Sequence, residues 1–137
     1  DAASPPCDGD GTQGWVVFVD DADPDVIEAN DRNGVVDAGE TVLLRHGALH
    51  DTVRTRIEPN DSGGYVSFAP PGMVRALADA GAGTPMTSLV LCDDRGNTAA
   101  DGGDDSAARG IVVSPIGRPR VTRSVAEIAS ADLGGCP

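Results

Sequence analysis

The chain consists of short apolar runs separated by turn-forming residues. The most apolar run, Trp15 to Val19, has no polar side chain and is bounded by Gly14 and Asp20. That pattern predicts a strand buried on both faces, at the centre of a sheet. Three further runs, at 40–46, 52–57 and 64–68, have the spacing of a sheet meander. Within 52–57 less and more polar residues alternate, which predicts one buried and one solvated face.

The second half of the chain contains three more strand-like runs, at 87–92, 109–114 and 117–123. Proline cannot donate to a strand ladder, so Pro119 predicts that the last of these runs forms an edge strand. Residues 73–80 are good helix formers, but the flanking glycines and prolines limit such a helix to about two turns. Residues 124–131 are compatible with either a short helix or a tail.

The composition favours one small domain that is mainly β. The 137 residues include 18 glycines and 10 prolines but only one Trp, one Tyr and two Phe. This composition favours many short elements joined by turns over long helices. We divide the chain into an opening loop (1–13), a core (14–123) and a tail (124–137).

The charge balance is strongly acidic, with a formal net charge of −12. At long range such a molecule repels nucleic acid and anionic lipid, so binding to either would require a local basic patch. The densest acidic stretches, 8–37 and 93–105, are also rich in small residues and are interpreted as solvated loops. The chain has no run approaching the roughly 18 to 20 apolar residues of a membrane-spanning helix, and we expect a soluble fragment.

The three cysteines favour a disulfide over a metal site. Their spacing is not C-x-x-C, and both histidines are far from them in sequence. Cys92 ends an apolar run and Cys136 is the penultimate residue, so we expect a bond between them that ties the tail to a strand. Cys7 is then left over. The alternative is three reduced thiols in a cytosolic protein.

Several blocks, in this order, resemble the C-terminal domain of GspH/FimT-type pseudopilins and minor pilins. They are GWVVFVD (14–20), NGVVDAGETVL (33–43), VSF with PG (66–72), LCDDRG (91–96), ARGIVVS (108–114) and GRPRV (117–121). Each block alone is weak, but together they cover most of residues 14–123. Residues 20–30 depart from the shorter loop that the family usually has at this place.

The resemblance implies an α+β, mainly β, pilin-like globular domain with two small antiparallel sheets. In the family this domain follows a hydrophobic N-terminal helix, which these 137 residues do not include. The implied function is a non-catalytic subunit of a type IV pilus or a type II secretion pseudopilus, anchored in the bacterial inner membrane and facing the periplasm. Its partners would be other minor pilins or pseudopilins and the major pilin. Cys7 would pair with a cysteine upstream of residue 1.

The basic residues of the last third form a candidate DNA-binding site. They are Arg109, Arg118, Arg120 and Arg123, and GRPR at 117–120 resembles the Gly-Arg-x-Arg element associated with DNA uptake in FimT-type minor pilins. Guanidinium groups suit phosphate because they donate two parallel hydrogen bonds. On an extended strand Arg118 and Arg120 point to one face. The alternative is a structural role, in which these arginines pair with the aspartates of 93–105.

Two other kinds of site have weaker support. Oxygen-bearing side chains at positions 20, 31, 33, 37 and 40 are spaced loosely like a calcium loop, but the EF-hand spacing is not met. We interpret them as turn formers and expect no metal or cofactor. His46 and His50 lie near Asp51, but no nucleophile motif accompanies them. Trp15 and Phe18 are interpreted as core or sheet-packing residues, and we expect no enzymatic activity.

Overall fold

The computed structural model describes residues 10–20, 32–77, 83–99 and 101–137, and its regular structure is mainly β. The strands are β1 (Trp15–Val19), β2 (Thr41–His46), β3 (Arg54–Glu58), β4 (Ser67–Phe68), β5 (Val74–Arg75), β6 (Ser88–Cys92), β7 (Asp105–Val113) and β8 (Pro119–Ser124). One short helix, α1 (Val125–Ile128), follows β8. In the described residues no helix is long and apolar enough to cross a membrane. These eight strands and one short helix confirm the expectation of a mainly β domain.

The centre of the domain is a four-stranded antiparallel sheet with the strand order β3-β6-β7-β8. Its strands correspond to the runs predicted at 52–57, 87–92, 109–114 and 117–123, although β7 begins earlier, at Asp105. β8 lies at one edge, as predicted from Pro119. The register between β7 and β8 shifts between Asp105 and Gly110, so the ladder is irregular near the start of β7.

The core lies where α1 and the tail cover one face of this sheet. Val90 and Ala108 from the sheet pack with Ile128 and Leu133 from the C-terminal segment, and all four are 3% exposed or less. A Cβ at Gly110 would lie 2.6 Å from Leu133 Cδ2, so only glycine lets the tail approach β7 this closely. Ser124 caps α1 by accepting a hydrogen bond from the backbone N–H of Glu127 (3.3 Å).

A disulfide fixes this arrangement. Cys92 at the end of β6 is bonded to Cys136, with their Cα atoms 5.8 Å apart. This is the pairing predicted from the sequence. The bond links residues 44 positions apart and holds the tail against the sheet.

The run at 15–19 does not form a central strand, contrary to the prediction. β1 pairs only with β2 among the described strands, in a two-stranded ribbon with a bulge between Val17 and Phe18. Trp15, Val17 and Val19 share one face and are 43 to 45% exposed, whereas Phe18 on the other face is half-buried. Both faces of the ribbon therefore carry apolar side chains, although among the described strands only β2 lies beside β1.

The predicted meander of residues 40–68 is also wrong. β2, β3 and β4 belong to three different sheets, because β2 pairs with β1, β3 with β6, and β4 with β5. The spacing of turn residues marked the strands but not their partners. Strand pairing is decided by non-local contacts that local spacing does not encode.

The predicted helix at 73–80 is replaced, in its described part, by strand β5. Val74 and Arg75 pair with Phe68 and Ser67 after the turn at Pro70 to Gly72. The backbone N–H of Val74 donates to the carbonyl of Pro115 (3.1 Å), so this segment is held against the β7–β8 turn. These contacts outside the segment outweigh its helix propensity. Residues 78–80 lie outside the described part of the chain, as does Cys7.

The disulfide should contribute much of the domain's stability, because this acidic chain has a small core with few aromatic residues. We expect the double variant Cys92→Ser, Cys136→Ser to lower the free energy of unfolding by about 2–4 kcal/mol, measured by urea denaturation. Reductant should destabilise the parent chain to a similar extent and leave the double variant unchanged. Cys7→Ser is the matched control, and an equal loss in that variant would contradict the assignment.

Candidate interaction surface

The four arginines singled out from the sequence differ in what their side chains contact. Arg109, in β7, is held by its own strand, since its Nη1 donates to the carbonyls of Ser106, Ala107 and Ala108 at 2.9, 3.0 and 2.8 Å. Its hydrogen-bonding capacity is therefore partly used within the fold. A phosphate would have to compete with these carbonyls.

Arg120 is also engaged, because its guanidinium donates to Oε1 of Glu127 in α1. The other carboxylate oxygen of Glu127 accepts a hydrogen bond from Thr122 Oγ1 (2.6 Å). These two bonds, with Arg120 the larger effect, lower the pKa of Glu127 below its usual value of 4.5. The same contact raises the pKa of Arg120. Arg120 thus fastens α1 to the edge strand.

Arg118 differs from the other three. It lies in the turn between β7 and β8, where its backbone N–H donates to Ser114 Oγ (3.1 Å). Its side chain is exposed, and within the described residues its guanidinium has no hydrogen-bond or ion-pair partner. Arg123 is intermediate, since its Nε lies 3.9 Å from Asp105 Oδ2. The structural alternative, pairing with the aspartates of 93–105, therefore applies to Arg123 but not to Arg120.

Sequence reasoning missed the surface that surrounds Arg118. The β4–β5 hairpin packs against the β7–β8 turn, and Phe68, Met73 and Ile116 lie there with 50, 53 and 58% exposure. A Cβ at Gly117 would lie 1.7 Å from the carbonyl oxygen of Gly72 and 3.4 Å from Phe68 Cδ1, so the two turns touch. Each turn contains proline and glycine, a signal for turns in general. Nothing in the sequence indicated that the two turns meet.

The acidic loop between β6 and β7 has a defined conformation where it is described. Asn97 Nδ2 donates to the carbonyl of Val125 (2.9 Å), and Asn97 Oδ1 accepts from Ser106 Oγ (2.7 Å). Asp93 is paired with Arg95, which lowers the pKa of Asp93 through hydrogen bonds to its carboxylate. The carboxylates of Asp101 and Asp104 are exposed and have no side-chain partner among the described residues.

The residues considered as calcium ligands serve the turn before β2 instead. Asn33 Nδ2 donates to Asp37 Oδ2 (2.9 Å), and the backbone N–H of Asp37 donates to Glu40 Oε2 (2.8 Å). The backbone N–H of Gly34 donates to Asp20 Oδ2 (3.0 Å). Position 31 lies outside the described residues. Within the described ranges no group of three or more His, Cys, Asp or Glu could hold a metal.

The two histidines lie in separate local contacts. The ring of His46 stacks on Trp15 with centroids 4.0 Å apart, and Trp15 is a half-exposed ribbon residue rather than a core residue. Nδ1 of His50 lies 2.9 Å from Thr52 Oγ1 and 2.8 Å from Asp51 Oδ1, on an exposed turn. These contacts are local turn and ribbon interactions.

Comparison with known proteins supports the resemblance carried by the sequence blocks. A family model described as type II transport protein GspH matches residues 4–117. The match includes Arg109 and ends at the β7–β8 turn, so Arg118, Arg120 and Arg123 lie beyond it. Neither the curated proteins nor the solved structures yielded a match.

The pair between Arg120 and Glu127 should make stability depend on pH. Because the pKa of folded Glu127 is lowered, its stabilisation is complete above its usual pKa of 4.5 and is lost as pH falls through the lowered value. We therefore expect Glu127→Gln to be less stable than the parent chain at about pH 7, with the difference vanishing toward about pH 3. Urea denaturation across this range measures the difference.

Asp93→Asn provides the matched control, since Asp93 also has a lowered pKa but contacts an arginine only two positions away. Its difference from the parent should be smaller, because this exposed local pair joins no separate elements. A Glu127→Gln variant as stable as the parent at neutral pH would refute the role of this pair.

Proposed function

Because the chain belongs to the type II transport protein GspH family, we propose that it is a non-catalytic assembly subunit of a type II secretion pseudopilus or a type IV pilus. GspH proteins are structural pseudopilins. The match over residues 4–117 is the observation that carries the proposal. In this role the protein acts through surfaces that contact neighbouring subunits.

The exposed face of the β1–β2 ribbon supports such a role. Trp15, Val17, Val19 and Leu44 lie on one side of the ribbon with 43 to 53% exposure. A two-stranded ribbon is marginally stable by itself, and contiguous exposed apolar surface usually marks a contact with another protein segment. An assembly subunit needs such contact surfaces.

The grooves of the described part are less suited to a small substrate than to protein contacts. One groove, of about 580 Å³, is open to solvent and lies between the sheet and the tail. Its wall contains the pair of Arg120 and Glu127, which hold each other. No activated nucleophile lines it. These features favour an architectural function over catalysis.

An in vivo deletion tests the assembly role. Cells that lack the full-length protein should lose either the export of type II substrates, which would accumulate in the periplasm, or surface pili. Complementation with the parent gene should restore the lost function. Normal secretion together with normal piliation in the deletion strain would refute the proposal. The two phenotypes also separate the secretion machine from the pilus.

DNA binding is the second candidate, and the free guanidinium of Arg118 favours it. The internal partners of Arg109 and Arg120 leave Arg118 and Arg123 as the residues most able to reach phosphate. With so few contacts, and in a chain of net charge −12, binding would be weak and steeply dependent on salt. Such a protein would act in DNA uptake at the pilus surface.

Titration of the domain into labelled duplex DNA tests this candidate. We expect weak binding at about 0.02 M salt, a large loss by about 0.15 M, and loss at both salts in Arg118→Ala, Arg123→Ala. The matched control is Arg32→Ala, Arg45→Ala, which removes two exposed arginines elsewhere. The candidate fails if DNA does not bind at the lower salt, or if both double variants weaken binding equally.

A further inference from the structure

The outer side of β8 is open to a further strand. β8 forms one edge of the four-stranded sheet, and none of the described strands lies beyond it. We propose that this edge docks an extended, acidic segment of a partner protein, which adds to the sheet as a fifth strand. The inference rests on the proposed assembly function and specifies the chemistry of one partner.

The register of β7 and β8 shows which backbone groups of the edge are free to pair. The backbone N–H of Ser114 donates to the carbonyl of Arg118 (3.1 Å) where the two strands join. Hydrogen-bonded and non-hydrogen-bonded pairs alternate along an antiparallel ladder, so Arg120 and Thr122 bond to β7 whereas Val121 does not. The N–H and the carbonyl of Val121 therefore point away from β7, and both are available to a partner strand.

An apolar row crosses the sheet and ends at this edge. Ile57, Leu89, Ile111 and Val121 lie directly opposite one another on the four strands, on the face away from the core. The first three are half-buried, but Val121, at the edge, is 66% exposed. An apolar side chain on an added strand would continue the row and remove Val121 from water.

The composition of β8 makes the edge selective. Pro119 occupies the next outward-facing position, where it has no N–H to donate, so the open part of the edge is short. Edge strands commonly carry proline and charged residues, because these prevent indiscriminate pairing with other strands. Val121 departs from that protection, since it is both apolar and exposed. The edge therefore suits one short segment whose charge matches the residues beside Val121.

The charges beside Val121 favour an acidic partner. Arg123 lies on the same face as Val121, and its ion-pair contact within the described part of the chain is loose, with Nε 3.9 Å from Asp105 Oδ2. Arg118, at the start of the edge, is exposed, and no described side chain pairs with its guanidinium. Carboxylates on either side of the apolar residue of an added strand would bond these two guanidinium groups.

Two other occupants fit the edge less well. β8 of a second copy would bring both sets of arginines together along one short ladder, and like charges across a ladder destabilise it. Duplex DNA offers phosphates to Arg118 and Arg123, but it has no polypeptide backbone to pair with Val121. An acidic strand satisfies the charges, the backbone groups and the apolar row together.

A capped peptide of sequence SETVTVE is the probe. When it pairs antiparallel to β8 with its first valine opposite Val121, its two glutamates lie opposite Arg118 and Arg123. Titration into the isotope-labelled 137-residue protein, followed by nuclear magnetic resonance, should shift the amide signals of Val121 and Arg123. The matched control is the peptide SRTVTVR, with arginine in place of glutamate, which should bind at least about tenfold more weakly.

Two substitutions at position 121 separate strand addition from a simple apolar contact. Val121→Pro removes the outward N–H and leaves the bonds to β7, so it should weaken binding about tenfold. Val121→Thr keeps the N–H and the branched shape and should retain most of the binding. Thermal unfolding verifies that both variants fold. Independently, Arg118→Gln, Arg123→Gln should weaken binding of SETVTVE and remove its advantage over SRTVTVR.

The inference is overturned if millimolar SETVTVE leaves the Val121 signal unshifted, or if the two peptides bind equally. Binding that is lost in Val121→Thr but kept in Val121→Pro would also overturn it, because the contact would then involve the apolar face rather than the edge. Duplex DNA that binds this edge more tightly than the peptide would favour the DNA candidate instead. Absence of peptide binding, combined with a secretion or pilus defect in the deletion strain, would refute only this inference.

Discussion

The packing of the C-terminal segment on the four-stranded sheet is the interaction on which the rest of the structure depends. Ile128 and Leu133 supply one side of the core, and Val90 and Ala108 supply the other. The absence of a side chain at Gly110 allows this close approach. The disulfide to Cys136 then removes conformations that the unfolded chain would otherwise populate. A chain with so few aromatic residues gains from this covalent constraint, since its apolar core is small.

The same packing explains why the arginine-rich segment is divided between structure and surface. Arg120 points toward α1 and binds Glu127, because the helix must be held close enough to place Ile128 in the core. Arg118, two positions earlier, lies in the turn before β8, where its exposed guanidinium has no hydrogen-bond or ion-pair partner among the described residues. The GRPR element thus contains one structural and one free arginine. If Arg118 and Arg120 both bound one ligand, the ion pair between Arg120 and Glu127, which stabilises the fold, would have to break.

The sequence predicted what depends on local pattern and failed where pairing is non-local. Most strand runs, the edge position of Pro119 and the bond between Cys92 and Cys136 could be predicted, because alternation, proline chemistry and chain ends are local features. The strand at 15–19 was placed centrally because an apolar run does not tell a buried strand from a ribbon with two apolar faces. The segment at 73–80 favours helix by composition, but the turn contact between Val74 and Pro115 makes its described part extended. The surface that surrounds Arg118 was missed because it forms only when two turns, distant in sequence, meet.

The strong negative charge restricts the orientations in which this molecule can associate with an acidic partner. At physiological salt, charges interact over about 8 Å, so two copies repel wherever their acidic loops approach. An approach that brings an exposed arginine such as Arg118 toward an acidic loop replaces this repulsion with attraction over the same distance. The net charge therefore selects among orientations, and exposed arginines such as Arg118 determine which orientation is favoured.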